Sequence, residues 1–145
     1  MAGLEQGRSE FLSFLDTLPR ERLSFSYGPG KWTLAEALVH ITDTERIFQY
    51  RALRFARNDR TDLPGFDQDA FVPHSNATKR SLGDLRQEYT AVRDSSIALF
   101  RTFDRETLDR VGIANGLPMG VGAMGFIICG HQAHHLRIIT ERYLA

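Results

Sequence analysis

Thr33-Leu34-Ala35-Glu36-Ala37-Leu38-Val39-His40-Ile41-Thr42-Asp43-Thr44-Glu45-Arg46-Ile47-Phe48 opens with the form of a capping box. In that form the Thr33 hydroxyl and the Glu36 carboxylate each satisfy a backbone N–H that the first helical turn leaves without a partner. Beyond it Leu34, Leu38, Ile41, Glu45, Phe48, Ala52 and Phe55 recur at spacings of four and three, interrupted only by Glu45. This spacing predicts a long helix from Thr33 to about Arg57. Ala37, His40, Thr44 and Ile47 run along the flank of its apolar stripe, which sets His40 at the margin of a core.

Outward from that helix, Gly and Pro gather at Gly28 to Gly30, Pro64 to Pro73 and Gly112 to Gly122, dividing the chain into four pieces. Leu4, Phe11, Leu12, Phe14, Leu15 and Leu18 give the first piece a helical period. Ser81-Leu82-Gly83-Asp84 resembles a second helix start, and Leu82, Leu85, Tyr89, Val92, Ser96, Leu99 and Phe103 continue from it. A short turn of helix is predicted between Asp104 and Arg110, and Ala114-Asn115-Gly116-Leu117-Pro118-Met119-Gly120 reads as a tight turn or small hairpin. The last helix is predicted from Val121 to Tyr143, with Met124, Ile127, Ile128, Ile138 and Ile139 in a stripe that passes over His131 and His135. The expected fold is therefore all-α, a four-helix bundle in one domain spanning residues 1–145. Asn58 to Arg80 is too broken for a helix and too irregular for a strand, and reads as a long crossover loop. A connection of that length lets the second and third helices run parallel.

The 18 basic and 18 acidic side chains balance, so no net field draws the protein to phosphate backbones or anionic lipid. Neither nucleic acid nor membrane is an expected partner. No apolar run is long enough to span a bilayer, and Met1 to Arg8 lacks the apolar segment of a secretory signal, so a cytoplasmic location is expected. Cys129 is the one cysteine, and in Phe126-Ile127-Ile128-Cys129 it reads as a buried small hydrophobe. Any metal must then rest on His, Asp or Glu.

Five histidines are present, at positions 40, 74, 131, 134 and 135. His131 and His135 stand one helical turn apart on the face shared with Ile128 and Ile138, so their imidazoles can converge. They offer neutral nitrogen donors to a borderline divalent ion. A His-x-x-x-His pair alone is a weak signal, and a histidine on an apolar face is most often a satisfied core or surface residue. His40 on another helix strengthens the case, because three packed imidazoles without an ion leave lone pairs unsatisfied. His40, His131 and His135 are the expected ligands, and because an unperturbed histidine has a pKa of about 6.5, protons should compete with the ion for all three and metal occupancy should fall steeply between about pH 7 and pH 5. His134 points to a neighbouring face, and His74 sits in the crossover beside Pro73. Asp67, Asp69 and Glu45 are ordinarily solvated carboxylates, any of which could complete coordination or act as a general base.

Five stretches together resemble the DinB-like superfamily, also called DinB/YfiT-like, over nearly the whole chain. They are Pro29-Gly30-Lys31-Trp32-Thr33, His40 with Asp43-Thr44-Glu45, Tyr50 to Ala56, Leu63-Pro64-Gly65-Phe66-Asp67, and Gly130-His131-Gln132-Ala133-His134-His135-Leu136. The resemblance implies an up-down-down-up bundle, often a homodimer. It also implies a three-histidine site on His40, His131 and His135, usually holding zinc or nickel with water in the open positions. Relatives of this kind imply a metal-dependent hydrolase or a thiol-dependent transferase acting with a low-molecular-weight thiol or another small-molecule substrate. The alternative is a non-catalytic metal-binding or stress-response bundle whose site is structural or vestigial. One departure stands out: position 132 is Gln where many relatives carry Glu, so no carboxylate role carries over there.

Overall fold

In the computed structural model, which describes residues 1–145, the Thr33 hydroxyl accepts from the Glu36 N–H at 3.2 Å and the Glu36 carboxylate accepts from the Thr33 N–H at 2.7 Å. That box starts α2 (Leu34–Ala56), the longest helix. Ser81 and Asp84 repeat the device at the head of α4 (Leu82–Phe100). The other long helices are α1 (Ala2–Thr17) and α6 (Val121–Arg142). All four lie within a few residues of the predicted bounds.

Pairings along the helices give their directions. Arg46 meets Glu88 and Gln49 meets Ser95, so α2 and α4 advance together and are parallel. Arg8 meets Asp94 while Asp16 meets Arg86, so α1 opposes α4. Tyr143 donates to the Trp32 carbonyl while His131 meets His40, so α6 opposes α2. The topology is up-down-down-up.

The crossover is more ordered than its composition predicts. Asp67 Oδ1 accepts from the N–H groups of Asp69 and Ala70, which caps a four-residue helix, α3 (Gln68–Phe71). Two short 3₁₀ turns follow at Val72–His74 and Ala77–Lys79. The buried Arg51 side chain of α2 donates to the Pro64 carbonyl at 3.1 Å and holds the start of the crossover against the bundle. After α4 come α5 (Arg105–Leu108) and a hairpin of β1 (Val111–Ala114) and β2 (Leu117–Gly120). Asn115 and Gly116, with φ of 53° and 72°, make the two-residue turn that matches strand twist. Leu63 bridges to Ala114, and Gly112 lies so close to the Phe55 ring that any Cβ there would collide with it.

Two apolar clusters fill the bundle. One joins Phe11, Leu15, Leu38, Tyr89 and Ile139. The other joins Leu4, Phe55, Phe100, Met124 and Ile128. Between them in chain position on every helix lie Gly7, Glu45, Arg93 and Gln132, a polar layer across the middle of the core. Glu45 and Gln132 are each 2% exposed and Arg93 is fully buried. The reading of Glu45 as a solvated carboxylate is thereby corrected: both of its oxygens accept from Arg93, at 2.8 and 2.9 Å.

Candidate metal centre

The apolar spacing of α2 turns His40 inward, where it is buried, and α6 carries His131 and His135 half-buried beside it. The centre of α6's buried stripe passes through Met124, Ile128, Gln132 and Ile139, so the two histidines stand on its rim rather than beneath it. Of the three histidines, His135 is the one that lines a cleft beside the cluster.

One ring nitrogen from each of His40, His131 and His135 lies within 4.8 Å of the others. The Nε2 atoms of His40 and His131 are 3.0 Å apart, and the His131 and His135 ring centroids 4.4 Å. Nitrogens bound to one ion at about 2.0–2.1 Å stand roughly 3–3.4 Å from each other, so the spacing suits a shared cation. Thr44 Oγ1 lies 3.4 Å from His40 Nδ1, the nitrogen that must carry the proton if Nε2 is to offer its lone pair. The Trp32 ring packs against His40 with centroids 4.8 Å apart.

Electrostatics favour neutral imidazoles. Burial lowers His40 from its ordinary 6.5 to about 4, against a small opposing pull from the Asp69 carboxylate. Burial, reinforced by the neighbouring His135, His40 and His134, lowers His131 to about 3. Burial and then His40 and His134 lower His135 to about 4. The donor set is therefore fit for a divalent cation, and the acid window expected from unperturbed histidines has to be revised.

The pH prediction follows with its sign. Each imidazole has a folded pKa below its unfolded value, so between about pH 6.5 and 4 the unfolded chain binds more protons than the folded one. Stability of the metal-free bundle is then complete above about pH 6.5 and declines as pH falls towards 4, before most carboxylates titrate. Protons compete for the folded ligands only near the bottom of that window. Cobalt(II) or zinc added at neutral pH is expected to stay bound at pH 5.5 and to leave near pH 4. Equilibrium dialysis at these values, with urea melts of chelator-treated protein, checks both; metal release already half complete at pH 6.5 would contradict the burial argument.

A cleft of about 750 Å³ opens beside His135, lined among others by Trp32, Glu36, Asp69, His134 and Tyr143. Of the three carboxylates singled out in the sequence, only Asp69 reaches it. Asp67 is occupied as the cap of α3, and Glu45 is held by Arg93. His74 is exposed and does not line the cleft. His134 is exposed at the rim, its ring 5.2 Å from that of His135. Trp32 and Gln132 stand in stretches that carry the family resemblance, but their places beside His40 and in the core, and the burial of Arg93, have no sequence signal beyond the break that Glu45 makes in an apolar stripe.

The family model of the DinB superfamily matches residues 3–139. An Oceanobacillus iheyensis protein named “Putative metal-dependent hydrolase” is 26% identical over 127 residues, covering 84% of this chain and 70% of that protein. Among solved structures, YfiT from Bacillus subtilis, described as a probable metal-dependent hydrolase with an unusual four-helix bundle topology, superposes with a TM-score of 0.79. The match has 18% identity and covers 97% of this chain and 81% of that one. A DinB-like protein, YjoA of Bacillus subtilis, gives a TM-score of 0.67 at 14% identity, covering 98% of this chain and 87% of that one.

Proposed function

The chain belongs to the DinB superfamily, and on that premise we propose that it binds a divalent metal ion through His40, His131 and His135 and works as a metal-dependent hydrolase or thiol-dependent transferase. The observation that carries this is the convergence of three ring nitrogens within 4.8 Å, one of them from His135, which lines a cleft. A closed structural site uses four protein ligands, whereas three ligands beside open space are the arrangement of a catalytic one. Bound there, a divalent ion supplies Lewis-acid activation of a water or a small thiol near neutral pH.

The chain's own groups complete the chemistry. Asp69, exposed on α3, lines the same cleft as His135 and is the carboxylate proposed to take up the proton that the water or thiol gives up. Trp32 and Tyr143 present apolar surface to a substrate in the cleft, while Lys31 and Glu36 offer opposite charges at its edge. Zinc or nickel is the proposed ion, since borderline cations suit imidazole nitrogen. A homodimeric assembly is proposed from the family resemblance, and a cytoplasmic location is proposed alongside it; no helix is long and apolar enough to cross a membrane.

Untagged protein should contain about one equivalent of zinc or nickel by elemental analysis. Its turnover of ester, amide or thiol-acceptor substrates should stop with chelator and return with metal. Asp69→Asn is expected to keep the metal and lose about 10²-fold or more in kcat, the usual scale for a general base. Turnover indifferent to chelator would rule out a metal-dependent reaction. A variant as active as the wild type would remove Asp69 from it.

A further inference from the structure

The polar layer between the two apolar clusters is built from all four long helices. Arg93 of α4 donates through Nε and Nη2 to the two carboxylate oxygens of Glu45 on α2, at 2.8 and 2.9 Å. Its Nη2 also donates to Gln132 Oε1 on α6 at 2.7 Å, and its Nη1 to the Leu4 carbonyl on α1 at 3.1 Å. Gln132 Nε2 donates to the Gly7 carbonyl at 2.8 Å, and the Tyr89 hydroxyl donates to Gln132 Oε1 at 2.7 Å. Both ends of the amide are engaged: its oxygen accepts twice and its nitrogen donates to α1. A carboxylate at 132 could not donate to Gly7 and would set two negative groups on one guanidinium. Gly7 has no side chain because a Cβ there would stand 2.9 Å from Arg93 Nη1.

We infer that Glu45, Arg93 and Gln132 are positioning residues that fix the rotation of α2 and α6 at which His40 meets His131 and His135. The inference rests on the reading that these imidazoles hold an ion. Gln132 adjoins His131 in the chain, and Glu45 adjoins Thr44, whose hydroxyl lies against His40. Apolar side chains of suitable size tolerate repacking, so the two clusters alone leave helix rotation loosely specified. A bidentate ion pair and a doubly accepting amide do not. With a side-chain nitrogen about 5–6 Å from its helix axis, a rotation of about 10° moves it about 1 Å, beyond the roughly 0.5 Å that a metal site tolerates. Polar layers that specify register at some cost in stability have this effect in coiled coils.

The test separates stability from metal affinity. Glu45→Met with Arg93→Met removes the pair without leaving a buried charge, and Gln132→Met removes only the α6 member. For each, and for an apolar control, Ile97→Val, thermal melting of metal-free protein is compared with cobalt(II) affinity and visible spectrum. Expected is a loss of about ten- to hundredfold in cobalt affinity, with an altered spectrum, in the polar-layer variants, while the double variant melts close to the wild type. Ile97→Val should lower melting and leave affinity unchanged. Unchanged affinity and spectrum in folded polar-layer variants would overturn the inference, as would an equal loss in the control. Should the double variant not fold, Gln132→Met decides by the same two outcomes. Wild-type protein that takes up no cobalt would instead sink the metal reading itself, and the inference with it.

Discussion

His131→Ala is expected to strip the protein of its metal while leaving the bundle folded. The three rings form a near-regular triangle, with centroids 4.8 Å apart for His40 and His131, 4.4 Å for His131 and His135, and 4.8 Å for His40 and His135, so each ligand counts about equally. Two imidazoles remain after the change. If a site of this kind binds with about 10 kcal/mol or more shared among its ligands, one ligand is worth about 3–4 kcal/mol, or roughly 10²–10³-fold in affinity. Dialysed wild-type protein should carry about one equivalent and the variant almost none. The helices lose little, because His131 is half-buried at the rim of the core stripe.

Melting temperature gives an independent reading. An ion present at about a hundred times its dissociation constant stabilises the folded state by about 2.7 kcal/mol, which for a chain of this size is a rise of about 5–10 °C. Chelator should remove that rise from the wild type at neutral pH and change nothing in His131→Ala. A variant that keeps one tightly bound equivalent would place the ion elsewhere in the molecule. A wild-type melt indifferent to chelator, in protein shown beforehand to contain metal, would mean that the ion's role is chemical and not structural.

Local signals in the sequence were enough to place the helices and the histidine trio. Thr33 and Ser81 announce two helix starts through side chains that act within three residues, and Asn115-Gly116 announces its turn through backbone preference alone. His131 and His135 are adjacent by helical geometry, and His40 was placed by the flank of α2's stripe. The crossover was harder to read, since α3 has only four residues, too few to show a period, and depends on one Asp67 cap. The partner of Glu45 was not legible because Arg93 lies 48 residues away and meets it only once the rotation of α4 is fixed. The lowered histidine pKa values are not legible in the sequence for a related reason: burial is a property of the packed bundle, and the sequence offers only the ordinary value.

Arg93→Met alone should be the most destabilising single change in the core. It leaves the Glu45 carboxylate, 2% exposed, without the guanidinium that supplies both of its hydrogen bonds. Breaking a buried pair from one side costs about 3–5 kcal/mol, because the remaining charge cannot be rehydrated in place. At this size the melting temperature should fall by about 6–20 °C. Glu45→Met should cost less, since the guanidinium keeps Gln132 Oε1 and the Leu4 carbonyl as acceptors. Combining the two removes both charges and fills the space with flexible apolar side chains, so the double variant should recover most of what Arg93→Met loses. The coupling energy from this cycle, measured by urea denaturation of metal-free protein, should be about 2 kcal/mol or more in the direction of recovery. Additive losses would mean that the layer contributes through packing rather than through charge. Because the cycle is run without metal, it measures what Arg93 and Glu45 do for the fold, separately from what they do for the three imidazoles.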